Sequence, residues 1–171
     1  MNNNKKVKSI TLSGILLAFT VICVFLAANL PTSVLALYSI SSLFIAVIII
    51  EFGTKAGWAF YLASSILSII LMPRLEVIPF VVFFGLYGLL KLYIERLSSR
   101  VVDYLLKLVY FNICLILGLF FLKELILGGV SLSAPIYIVA ALLEVVFLVY
   151  DYVYTQFIKF YVSRLKPKLK I

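Results

Sequence analysis

From residue 9 to residue 161 this chain is a succession of apolar runs, each close to the roughly 20 residues that cross a hydrocarbon core as a helix. Six can be marked, at residues 9–30, 34–52, 55–72, 77–94, 102–122 and 135–161. Proline and glycine punctuate them: Pro31 ends the first, Gly53 closes the second and Pro73 stops the third. Only 13% of the residues are charged, where a soluble domain has about one quarter, so lipid is the solvent for most of the surface. The expected fold is all-α: a polytopic membrane protein, one six-helix transmembrane domain over residues 1–171.

The basic residues mark the ends of the runs, and that distribution predicts an orientation. With the N-terminus inside and six spans, thirteen of the fifteen lysines and arginines fall on the cytoplasmic side, leaving Arg74 and Lys123 outside. Both termini are then cytoplasmic, as the positive-inside rule favours. Lys5, Lys6 and Lys8 before an apolar run resemble a signal peptide, but the run is too long for a signal core and is read as the first helix. The net charge of +8 therefore belongs to membrane topology, and no nucleic-acid partner is expected.

Several chemistries are excluded or left without support. The chain has no histidine, which removes a His-based metal centre, a His general base and a Ser-His-Asp triad. Cys23 and Cys114 lie inside apolar runs and read as free thiols. No metal site, cofactor or catalytic residue is expected, and there is no Gly-rich phosphate loop.

The last run carries two carboxylates, Glu144 and Asp151. Seven residues is close to two helical turns, so both acids and Tyr137 share one face. Ionisable groups at membrane depth are costly, so that face points into protein or a water-filled cavity. With Asn112, midway along the fifth run, it would make a polar pocket for a small ligand or a cation; the competing reading is a pairing that fixes helix packing. For Asp151 the structural reading is favoured, with Lys91 or Lys107 as partner across the bundle. Arg74, between two prolines in the 73–79 connection, is the outer cation best placed to meet an anionic ligand. The loop at 123–134 could cap a pocket or simply connect. The bulky stretch Ile45, Val47, Ile48, Ile49 and Ile50 predicts a lipid-facing side on the second helix.

Gly14 and Ala18 form a small-xxx-small pair on the first helix, a spacing that lets another helix approach closely. It serves either packing within the chain or docking of another subunit. The length, the six spans, both ends inside and the stretch KKVKSITLSGILLAFTVICVFLAANLP resemble the S components of energy-coupling factor (ECF) transporters. In that family helix 1 carries an Ala-xxx-Ala docking motif; the matching positions here are Gly14 and Ala18, a degenerate version.

The resemblance implies a substrate-binding subunit in the bacterial plasma membrane that catalyses nothing itself. It would capture a vitamin-like small molecule from outside, with Glu144, Asn112, Tyr137 and Arg74 as candidate contacts. Helix 1 would dock on a coupling membrane subunit that works with two ATPase subunits. The alternative is a scaffold similar to the MreD proteins of cell-envelope complexes.

Overall fold

The computed structural model describes residues 3–30, 33–95, 100–121 and 136–169, with the side chains of 3–6, 100, 119–121, 136, 137, 168 and 169 excepted. The expected loop at 123–134 and the side chain of Tyr137 lie outside these residues. Helices run over α1 (Asn3–Asn29), α2 (Val34–Phe52), α3 (Thr54–Leu71), α4 (Gly85–Ile94), α5 (Arg100–Phe121), α6 (Ile136–Phe160) and a short α7 (Lys166–Leu169). A 3-10 turn at Leu75–Val77 and a π turn at Phe80–Phe84 lead into α4, and a second π turn at Tyr161–Leu165 follows α6. Among the described residues there is no strand, and six helical segments are long and apolar enough to cross a membrane. The chain is an all-α, multi-pass membrane protein. The α2 boundaries match the sequence reading, whereas α1 begins six residues earlier than expected because its polar and basic lead continues the helix.

The chain divides into two compact units, Met1–Leu89 with Tyr154–Ile171, and Leu90–Val153. In the first, α2 packs against α1, α3 and the π turn at Phe80–Phe84. Enclosure on several sides buries Ile45, Val47, Ile48 and Ile49. This corrects the expectation of a lipid-facing side on that stretch: β-branched bulk here fills a core. The exposed apolar surface of α2 lies instead nearer its start, at Leu35 and Ile40, beside that of α1 and α3, where Phe19, Ile22, Ile66 and Ile70 are exposed.

Gly53 is the single residue joining α2 to α3, and its φ of +87° is one that a side chain rarely adopts. At two irregular stretches of the first unit a tyrosine hydroxyl meets the backbone. Tyr38 donates to the carbonyl of Glu76 in the 3-10 turn. Tyr61 donates to the carbonyl of Val81 in the π turn at 2.8 Å. In lipid a carbonyl without a donor costs several kcal/mol, of order 2–7 by transfer measures, so these bonds make the irregular stretch tolerable. Tyr154 donates to the Ser42 carbonyl at 3.2 Å, and its hydroxyl occupies the space that a side chain at Gly88 would need.

Candidate functional site

Among the described residues the buried charged side chains, Lys91, Lys107 and Asp151, all lie in the second unit. Its frame is an antiparallel pairing of α5 with α6, read directly from the contacts: Asn112 meets Glu144, Phe111 meets Phe147, and Lys107 meets Asp151. Ascending numbers on one helix pair with descending numbers on the other. On α6 the three positions recur at three- and four-residue spacing, which keeps them on one face. The phenyl rings of Phe111 and Phe147 stack with centroids 4.6 Å apart and planes 8° from parallel, between the two polar pairs.

At one end of this seam is a four-member ion cluster. Asp151 accepts from Lys91 and, at 3.3 Å, from Lys107. Glu95, just past the end of α4, completes it, with both lysine ammonium groups 2.8 Å from the same carboxylate oxygen. Lys91, Lys107 and Asp151 are buried, their side chains 1%, 7% and 8% exposed, while Glu95 is 38% exposed. Two positive and two negative charges therefore balance inside the unit. The Lys107 ammonium also lies 5.7 Å from the Tyr104 ring centroid, close enough for a cation–π contribution. Burial raises the Glu95 carboxyl, but hydrogen bonds and charge from Lys107 and Lys91 outweigh that and hold it below the ordinary carboxylate value.

Sequence reasoning named Lys91 and Lys107 as partners for Asp151, and the structure brings all three together. It missed Glu95. The available signal was the four-residue spacing from Lys91, which places the two on one helical face.

At the other end of the seam the Glu144 carboxylate accepts from the Asn112 side-chain amide at 3.1 Å. That amide nitrogen also donates to the Leu108 carbonyl at 2.9 Å. Both N–H groups of Asn112 are thus engaged. What remains there for a ligand is acceptor capacity, on the carboxylate and on the amide oxygen. Glu144 lies seven residues from Asp151, about 10 Å along the helix. The structure therefore joins Glu144 to Asn112 directly. The backbone of Tyr137 lies on the same helix, α6.

The remaining candidates belong to the first unit. Arg74 is exposed in the joint after α3 and lines, with Asn29, a recess of about 360 Å³ between the ends of α1 and α3. Gly14 and Ala18 are exposed on α1. A methyl group built at Gly14 would meet nothing within 4 Å. Among the described residues nothing packs on the Gly14 position, and both residues lie on an exposed surface of α1.

Chemically the second unit offers charge pairing and hydrogen-bond acceptance. Among the described residues no three histidine, cysteine or acidic side chains converge as metal ligands would. No protein family, curated protein or solved structure matches this chain.

Proposed function

We propose that this protein is the membrane-embedded ligand-capturing subunit of an ECF-type uptake transporter, working without catalysis of its own. It sits in a bacterial plasma membrane with both termini in the cytoplasm. The observation that carries this reading is the open Gly14–Ala18 surface on α1. Glycine is about 1 kcal/mol worse than alanine in a helix, so Gly14, with nothing within 4 Å of where its side chain would be, costs helix propensity until another helix seats on this face, and the neighbouring Ala18 leaves room for that approach. A coupling membrane subunit, itself carrying two ATPase subunits, is the partner this surface fits.

Ligand capture is assigned to the Glu144–Asn112 end of the α5–α6 seam. Because both Asn112 N–H groups are engaged, the site offers acceptors, and its ligand is a small vitamin-like molecule rich in N–H or O–H donors or bearing a positive charge.

The test is affinity capture of the tagged full chain from native membranes in mild detergent, with Ala18→Trp beside it. Recovery of a coupling membrane subunit and two ATPases with the native chain, and their loss with Ala18→Trp, is the expected result. Intact assembly in the variant removes α1 from docking. Glu144→Gln is expected to leave assembly and yield unchanged while lowering ligand retention about tenfold, the loss of one charged hydrogen bond. The scaffold reading is favoured by one observation, that Glu144 already has an internal partner in Asn112. Recovery of cell-envelope proteins in place of a transporter module would select it.

A further inference from the structure

Two adjoining recesses lie between α1 and α3 and share Phe25, Leu71 and Met72. The first, of about 360 Å³, opens at the ends of both helices and holds Arg74 and Asn29. The second, of about 260 Å³, continues one turn further along α1 and is lined by Val21 and Ile22 with the shared residues. Both helices are membrane spans that end here. The groove is therefore polar where the headgroup layer begins and apolar where the hydrocarbon begins.

The polar end has a definite chemistry. The exposed Arg74 guanidinium has no hydrogen bond or ion pair among the described residues. Asn29 donates its amide to the Phe25 carbonyl at 2.7 Å, which leaves its amide oxygen as an acceptor. The last four carbonyls of a helix have no partner within it. At the end of α3 the Ser68 carbonyl is taken by the Met72 N–H, leaving those of Ile69, Ile70 and Leu71 without helical donors. Of these residues Asn29, Leu71 and Arg74 line the mouth, which thus combines one fork-shaped cation with the Asn29 amide oxygen and the Leu71 carbonyl as acceptors, and an apolar slot leads away from it.

We infer that this groove is a binding site for a single phospholipid whose headgroup carries hydrogen-bond donors. The phosphate sits on Arg74, which matches its oxygens with paired N–H groups. The hydroxyls of a glycerol headgroup, or the ammonium of an ethanolamine headgroup, meet Asn29 and the Leu71 carbonyl. One acyl chain lies along Ile22, Phe25, Leu71 and Met72. A choline headgroup has the phosphate and the charge but no N–H or O–H to donate, so it satisfies Arg74 and leaves the acceptors unmet. The site is independent of the docking role given to Gly14 and Ala18, and either can fail without the other.

Native mass spectrometry of the full chain, released from detergent in the presence of phosphatidylglycerol, phosphatidylethanolamine or phosphatidylcholine, tests it. The expected result is one lipid retained per chain under conditions that strip the rest, with the choline lipid held about tenfold less well than the other two. Arg74→Gln is expected to lower phosphatidylglycerol retention about tenfold, and Ala28→Trp, which fills the mouth, to do the same. Lys55→Gln, at the opposite end of α3, retains it as the native chain does. Equal retention of all three lipids, or unchanged retention by Arg74→Gln, would mean unspecific annular lipid and overturns the site.

Discussion

Asp151 is the residue on which most of the buried charge depends. It answers two lysines at once, and both are nearly inaccessible. Replacing it by Asn keeps the shape but removes a negative charge that faces two buried ammonium groups. Losing one partner of a buried pair costs about 3–5 kcal/mol, largely because the other charge is stranded. Thermal unfolding of Asp151→Asn in detergent is expected to show a loss in that range. The double variant Lys91→Met with Asp151→Leu should recover most of it, since Lys107 and Glu95 still pair and an apolar pair of similar bulk replaces the other. A double variant as unstable as the single one would show that the charges themselves hold this unit together. Glu95 adds a pH dependence whose sign follows from its lysines. Its carboxyl titrates lower in the folded protein than the roughly 4.3 of an unfolded glutamate, so its stabilising contribution is complete above that value. The contribution fades as the pH falls below about 4.3 and through the folded-state value. Melting temperatures of the native chain and Glu95→Gln, compared over that window, are expected to converge as the medium is acidified. At 38% exposure solvent screens the effect, and the difference is small.

Where α4 and the end of α6 meet inside the first unit, contact is set by one glycine and one hydroxyl. Gly88→Ala gains about 1 kcal/mol of helix propensity but drives a methyl group into the Tyr154 hydroxyl, which is buried and has no room to swing away. Overpacking costs about 1–3 kcal/mol, so the collision outweighs the gain. Tyr154→Phe alone removes the bond to the Ser42 carbonyl, worth about 1 kcal/mol net. The double variant lacks the hydroxyl but keeps the ring Cζ 3.3 Å from the new methyl group, so Gly88→Ala is expected to cost clearly less in Tyr154→Phe than in the native chain. Equilibrium unfolding of the four proteins measures that coupling directly, and purely additive effects would rule out the contact as its cause.

At the scale of the whole molecule the six spans were readable because proline, glycine and charge interrupt apolar runs of bilayer length. Asp151 and its lysines were readable because few groups at that depth can answer a carboxylate. The two π turns were not, since Phe80–Phe84 reads as ordinary apolar helix and its stability rests on Tyr61, 20 residues away in sequence. The burial of the Ile45–Ile49 stretch was hidden for a similar reason: in a membrane, core and lipid-facing surface have the same composition, so hydropathy cannot tell them apart. Pairing of Glu144 with Asn112 needed the register of α5 against α6, which composition does not contain. The least apolar of the six spans is α3, whose buried face carries Ser64, Ser65 and Ser68. Its insertion has the least free energy to spare. Leu62, exposed at its middle, is therefore a sensitive position. An arginine there costs about 2.5–3.5 kcal/mol on insertion scales, and Leu62→Arg is expected to shift α3 out of the membrane in a glycosylation-mapping assay. The same change at Ile22 on α1, the most apolar span, is expected to be tolerated.

Gly53 also limits how such a chain can vary over generations. An added residue at this one-residue joint must loop out, or else turn α3 by about 100° about its own axis and carry Gly57, Phe60 and Ser64 off the buried face. Descendants of a shared ancestor can lengthen and shorten at their other joints; here they are expected to keep both the count and the glycine.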